Sequence, residues 1–172
     1  EGVLEYFDAH LDEQPAFCDL LADGIASLKS AAPGIAVGAY WRYENDDDDL
    51  FACVNRATDF VAVATILNPP QDELADFPEV VEHYLDLAGD KPLGLVEIGW
   101  PSSAGVGSSD AAQVAFVEQL GAVLSAHADR IAFTSYYSLY DEDRAVMEQV
   151  AVELFGDLES EAAQSFLAWI TT

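Results

Sequence analysis

The sequence predicts an α/β protein built of parallel βα repeats, and two observations carry that expectation. Four apolar runs, Ile35–Trp41, Phe60–Leu67, Leu93–Val96 and Ile131–Leu139, are continuous rather than alternating. Strands buried on both faces of a parallel sheet read in this way. Between the runs stand segments with apolar residues at three- and four-residue steps, so strand starts recur at intervals of 25 to 38 residues. Strand alternating with helix implies parallel strands joined by right-handed crossovers. Four strands are half of a (β/α)8 barrel, whose whole form takes roughly 200 residues or more. The 172 residues are therefore expected to form one half-barrel domain.

The elements follow in order. Residues 1–32 read mostly as helix, with Leu11, Phe17, Leu20, Leu21, Ile25 and Leu28 on one apolar face, and Ala31-Ala32-Pro33-Gly34 ends it. After the first strand, Asn45 and the acidic run Asp46–Asp49 form a solvated loop, with Asp49 as the expected cap of a short helix, Leu50–Ala57. The run lacks the glycine and terminal glutamate of an EF-hand loop. Asn68-Pro69-Pro70 breaks the second strand. Pro78–Ala88 is amphipathic, with Val80, Val81, Tyr84, Leu85 and Leu87 on its apolar side and Gly89 as its stop. Asp110 and Gln113 resemble a capping box for a helix to Ala128, with Val114, Val117, Leu120, Val123 and Leu124 inward. Helices over 143–154 and 159–170 close the chain.

Charge is the most extreme property. There are 32 Asp and Glu against 6 Lys and Arg, a formal net charge of −26. Such a field repels nucleic acid and anionic membranes and argues against polyanionic substrates. It is also the balance of a halophilic surface, where salt screens self-repulsion. The expected result is a melting temperature that falls when molar salt is replaced by dilute buffer; an unchanged melting curve excludes this reading. Either a salty cytoplasm or a salty exterior suits such a surface. No apolar run approaches the length that spans a bilayer. The first residue is Glu1 rather than Met, as expected of a chain whose upstream region has been removed. Cys18 and Cys53 stand in apolar helical surroundings without metal-ligand spacing and are expected as buried free thiols. His10, His83 and His127 are scattered singly, so no metal site is expected.

The stretch that orders the rest is Lys91-Pro-Leu-Gly-Leu-Val-Glu-Ile-Gly-Trp-Pro-Ser-Ser103. Gly99-Trp100-Pro101 stops the strand, which places Glu97 at its carboxyl end, where βα barrels gather catalytic groups. Glu97-Ile-Gly-Trp-Pro-Ser resembles the nucleophile strand of retaining β-glycosidases with (β/α)8 barrels, closest to the endo-1,3-β-glucanase type. The resemblance implies that the four strands are strands five to eight of a TIM barrel and that Glu97, ending strand seven, attacks the anomeric carbon. Glu1 then matches the acid/base that follows strand four, although the Asn that precedes it in those families is absent. Trp100 would line a sugar subsite, with Trp41, Tyr136 and Tyr137 as further strand-end rings. Asp141, in a Tyr-Asp-Glu like the segment after strand eight of the glucanases, would bind a hydroxyl or cap the helix that follows. The Thr65-Ile66-Leu67-Asn68-Pro69 segment departs from the Tyr-Tyr-Pro that related barrels often carry there.

A retaining glycosidase needs two carboxyl groups about 5–5.5 Å apart and no cofactor. The expected partner is a carbohydrate substrate, with neither nucleic acid nor membrane. Two open sheet edges further imply a homodimer or complementation by the missing amino-terminal half-barrel. A second reading is a non-catalytic carbohydrate-binding or scaffold protein that kept the half-barrel. A third, a flavodoxin-like open sheet, ranks below both because no glycine-rich phosphate loop follows any strand.

Overall fold

The computed structural model describes residues 6–7, 10–43, 47–67, 73–102, 104, 107–136 and 144–170. Strands β1 (Gly38–Arg42), β2 (Phe60–Ile66), β3 (Leu93–Gly99) and β4 (Ile131–Tyr136) lie in sequence order in one sheet, and every neighbouring pair is parallel. Helix α1 (Gln14–Ala31) precedes the sheet. Helices α2 (Asp48–Ala57), α3 (Asp76–Ala88) and α4 (Asp110–Ala126) cross between successive strands, and α5 (Arg144–Phe155) and α6 (Glu161–Ile170) follow the last. This is the parallel βα alternation expected from the sequence, and it is part of a (β/α)8 barrel architecture.

Strand alternation gives the sheet two unlike faces. Val61, Val63, Leu93, Leu95 and Ile98 are wholly buried in one core cluster with Leu50, Phe51, Phe77, Val81 and Phe116 from the crossover helices. Each such side chain contributes roughly 1.5–3 kcal/mol through burial. The opposite face is open. There Tyr40 and Phe133 are 54% and 41% exposed; β4, at the edge of the sheet, is exposed on both faces, at four successive residues, 132–135. The rings of Phe60 and Phe133 meet edge to face at 5.4 Å and overlie Gly38 and Gly94, where any Cβ would strike a ring carbon within 2.4 Å. Glycine at these two positions is what lets neighbouring rings lie flat on the strands.

Some expected faces shift. In α1, Ile25 is buried, but Leu11 in the 3₁₀ turn before the helix, and Leu20 and Leu28 within it, are exposed. Only one flank of α1 meets the rest of the fold. In α4, Phe116, Leu120 and Val123 are buried while Val114 and Val117 are exposed, because the helix turns its largest ring against Phe77 and Trp100. Helices α5 and α6 pack on each other in a smaller cluster around Ala151, Ala163 and Leu167. Among the described residues, no helix is long and apolar enough to cross a membrane.

Caps also move by a residue or two. Asp47, not Asp49, caps α2, accepting from Leu50 N–H at 2.8 Å. Ser109, not Asp110, caps α4, and Gln113 donates to the Trp100 carbonyl at 3.1 Å instead of closing a capping box. In both places the side chain one turn ahead of the first free amide takes the cap.

Three of the six cations are spent where strands begin. Lys91 Nζ donates to the carbonyls of Asn55, Arg56 and Thr58 at the end of α2. The Arg130 guanidinium donates to Leu85 and Gly89 carbonyls at the end of α3. A cation at a helix carboxyl terminus satisfies orphan carbonyls and complements the helix dipole. Lys29 pairs with Asp59 at 2.5 Å, and Asp59 also accepts from Val37 N–H at 2.8 Å. These two bonds hold the Asp59 carboxyl below its ordinary range.

The cysteines are not free thiols. Cys18 of α1 and Cys53 of α2 form a disulfide, with Cα atoms 5.9 Å apart. Their separation of 35 residues hid the pairing; the crossing of the two helices brings the Cα atoms within bridging distance.

Candidate active site at the strand ends

The carboxylate of Glu97 reaches the open face through a break in strand register. Along β3, Leu93 and Leu95 point into the helix-covered core, so simple alternation would send Glu97 there as well. Instead Ala64 pairs with Val96 and Ile66 with Gly99, while Leu95 pairs with Thr134 and Ile98 with Tyr136. On both sides β3 carries one residue more than its neighbour, which is a β-bulge. Glu97 takes the bulge with φ +48°, the single non-glycine with positive φ among the described residues. Ile98 then occupies the next core-facing position, wholly buried.

That conformation costs an L-residue roughly 1–2 kcal/mol. The expected consequence is an inverted order of stability at this position. Glu97→Gly should be more stable than Glu97→Ala by about 0.5–1 kcal/mol, although glycine in a strand is ordinarily the weaker choice. Equilibrium denaturation of the two variants measures it, and the ordinary order would rule out the bulge geometry.

From β1, Tyr40 donates its hydroxyl to Glu97 Oε2 at 2.6 Å. The bond crosses β2, where the register sets Ala62 beside Tyr40 and Ala64 beside Arg42, both too small to block the way. Tyr40 was not among the site residues expected from the sequence. The expected ring was Trp41, which the strand period assigns to the other face. Trp41 is buried in the core, its indole donating to the Tyr84 hydroxyl at 3.2 Å and its ring edge-on to Phe51. It does not share the face of Glu97.

Trp100, directly after β3, is 6% exposed. Its indole N–H donates to Ser108 Oγ at 2.7 Å and its ring stacks near Phe116, so this indole is fixed under the loop that precedes α4. Tyr136 ends β4 and hydrogen-bonds the Trp100 backbone. Burial pushes the Tyr136 phenol above its ordinary range, opposed in part by that bond. The structure thus brings Glu97 and Tyr40 together on the open face and sets the expected rings behind it: Trp41 and Trp100 are buried in the core cluster and Tyr136, paired with the core-facing Ile98, packs against that cluster. Glu1, Tyr137 and Asp141 lie outside the described residues, as do Asn68 and Pro69 of the altered strand end. Among the described residues, no group of three His, Cys, Asp or Glu side chains is placed to hold a metal ion.

A parallel βα sheet of this order has the architecture of part of a (β/α)8 TIM barrel. No protein-family model and no curated protein matches the chain. Among solved structures it is similar to a glycoside hydrolase family 17 β-1,3-glucanosyltransferase from Rhizomucor miehei, with a TM-score of 0.51 and 20% sequence identity. The match covers 74% of this chain and 49% of the fungal enzyme, so the chain spans about half the length of its neighbour. At that identity the likeness is one of fold.

Proposed function

We propose that the chain is the carboxyl-terminal half of a retaining β-glycosidase barrel acting on a β-linked glycan. The observation that carries this reading is the bulge at Glu97, which turns a carboxylate from the core side of β3 onto the open face at the strand end. Backbone strain at a strand-end carboxylate is characteristic of functional sites. In this reading the Glu97 carboxylate attacks the anomeric carbon as the glycosidic C–O bond breaks, and a second carboxylic acid protonates the departing oxygen. Water, or a sugar hydroxyl in a transfer reaction, then displaces Glu97 from the glycosyl ester with the second carboxylate as base. Glu1 is the candidate for that second group.

The open face and the two sheet edges support a further part of the reading. A parallel sheet is ordinarily covered on both sides, so a second half-barrel, from a longer polypeptide or from a second copy, would close the site. The test of function is incubation with a panel of 2-deoxy-2-fluoro glycosyl fluorides in molar salt, followed by peptide mass analysis. An adduct on Glu97 supports the reading and identifies the sugar. No adduct from folded protein favours the alternative, a carbohydrate-binding or scaffold role, for which the exposed Tyr40 ring on an uncovered face is the supporting observation.

A further inference from the structure

We infer that Tyr40 is a positioning residue for Glu97, a role that rests on the glycosidase reading above. Three observations lead to it. The hydroxyl donates to Glu97 Oε2 at 2.6 Å, the short distance of a charge-assisted bond. The two residues stand on β1 and β3, 57 positions apart in sequence, with a whole strand between them, so no local turn explains their meeting. Finally, the Tyr40 ring is 54% exposed and contributes little to the core, whereas its neighbour Trp41 is 5% exposed and packs there.

The bond acts where the backbone alone is least able to fix the side chain. A bulged residue has no regular cross-strand partner, and its side chain stands free of the neighbouring rows. The bulge sets the face on which Glu97 emerges; the phenol sets where one carboxylate oxygen sits on that face. An oxygen so held leaves the other to meet the anomeric carbon. On this view Tyr40 touches neither the sugar carbon nor the departing oxygen, and it works through Glu97.

The test compares wild type with Tyr40→Phe, which keeps the ring and removes the hydroxyl. The side-chain carboxyl carbon of Glu97, labelled with ¹³C and assigned by its loss in Glu97→Gln, reports the contact without any need for turnover. The rate of trapping by the reactive 2-deoxy-2-fluoro glycosyl fluoride reports positioning. The expected result is a displaced Glu97 resonance, trapping slower by roughly 10- to 100-fold, and an unchanged melting temperature. An unmoved resonance would overturn the contact. A moved resonance with trapping at the wild-type rate would overturn the positioning role. A moved resonance in a protein whose wild type is trapped by no sugar would overturn the glycosidase reading, and the positioning role with it, while leaving the contact itself established.

Discussion

Glu97→Gln is expected to lose turnover on the order of 10⁴-fold or more while keeping carbohydrate affinity and fold. Removing a covalent nucleophile leaves only binding and electrostatic contributions, and losses of that size are characteristic. The amide is close in shape to the carboxylate, and its carbonyl oxygen still accepts from Tyr40, so the bulge and its hydrogen bond persist. The variant therefore separates chemistry from structure, which a truncation at the same site would not. It is measured with an activated aryl β-glycoside chosen from the sugar that labels wild type, with binding followed by titration calorimetry in molar salt. A non-catalytic sugar-binding protein would lose little in either measurement. Turnover within tenfold of wild type would remove Glu97 from the chemistry.

Breaking the Cys18–Cys53 bridge is expected to produce the largest loss of stability. The bond closes a loop across 35 positions. On the chain-entropy model a loop of that length contributes about 3–4 kcal/mol by restricting the unfolded chain. For a chain of this size that corresponds to a melting temperature lower by roughly 6–16 °C. The bridge ties α1, of which Ile25 alone is buried, to α2, which buries Leu50, Phe51, Cys53 and Val54. Its loss should therefore loosen α1 first. A Cys18→Ser, Cys53→Ala variant compared with oxidised and reduced wild type by calorimetry checks it. Variant and reduced protein should melt together, well below the oxidised form; coincidence of all three would show that the bridge does not stabilise the fold. Persistent disulfides belong to oxidising compartments.

Much of the fold was legible because its signals are local. The apolar runs at 60–67 and 93–96 needed no partner to be recognised as strands, and β2 and β3 lie there. Glu97 at a strand end followed from Gly99-Trp100-Pro101. Long-range facts were not legible. A continuous apolar run conceals which residues share a face, so Trp41 was expected where Tyr40 stands. The disulfide depends on two helices crossing, which no spacing records. One clue to the bulge did stand in the sequence. Leu93, Leu95 and Glu97 share parity, and a carboxylate in line with two core leucines is a local conflict that an extra residue resolves. The exposure of Leu20, Leu28, Val114 and Val117 was likewise out of reach, since helical period identifies a stripe but not whether anything lies against it.

The cationic clasps at the strand-start end have a consequence for how this scaffold can change. Lys91 and Arg130 bind backbone carbonyls, not side chains, so their work is indifferent to what the surrounding residues are. The described residues directly after the strands, Tyr43, Leu67 and Trp100, lie at the other end of the sheet. The clasps and the strand-end carboxylate thus stand at separate ends of the same strands, the division that barrel enzymes show between their two rims. Substitutions at the strand-end loops that spare the core side chains Leu67 and Trp100 and the caps Asp47 and Ser109 should therefore leave the scaffold standing, whereas Lys29, Lys91 and Arg130 are the positions to hold fixed.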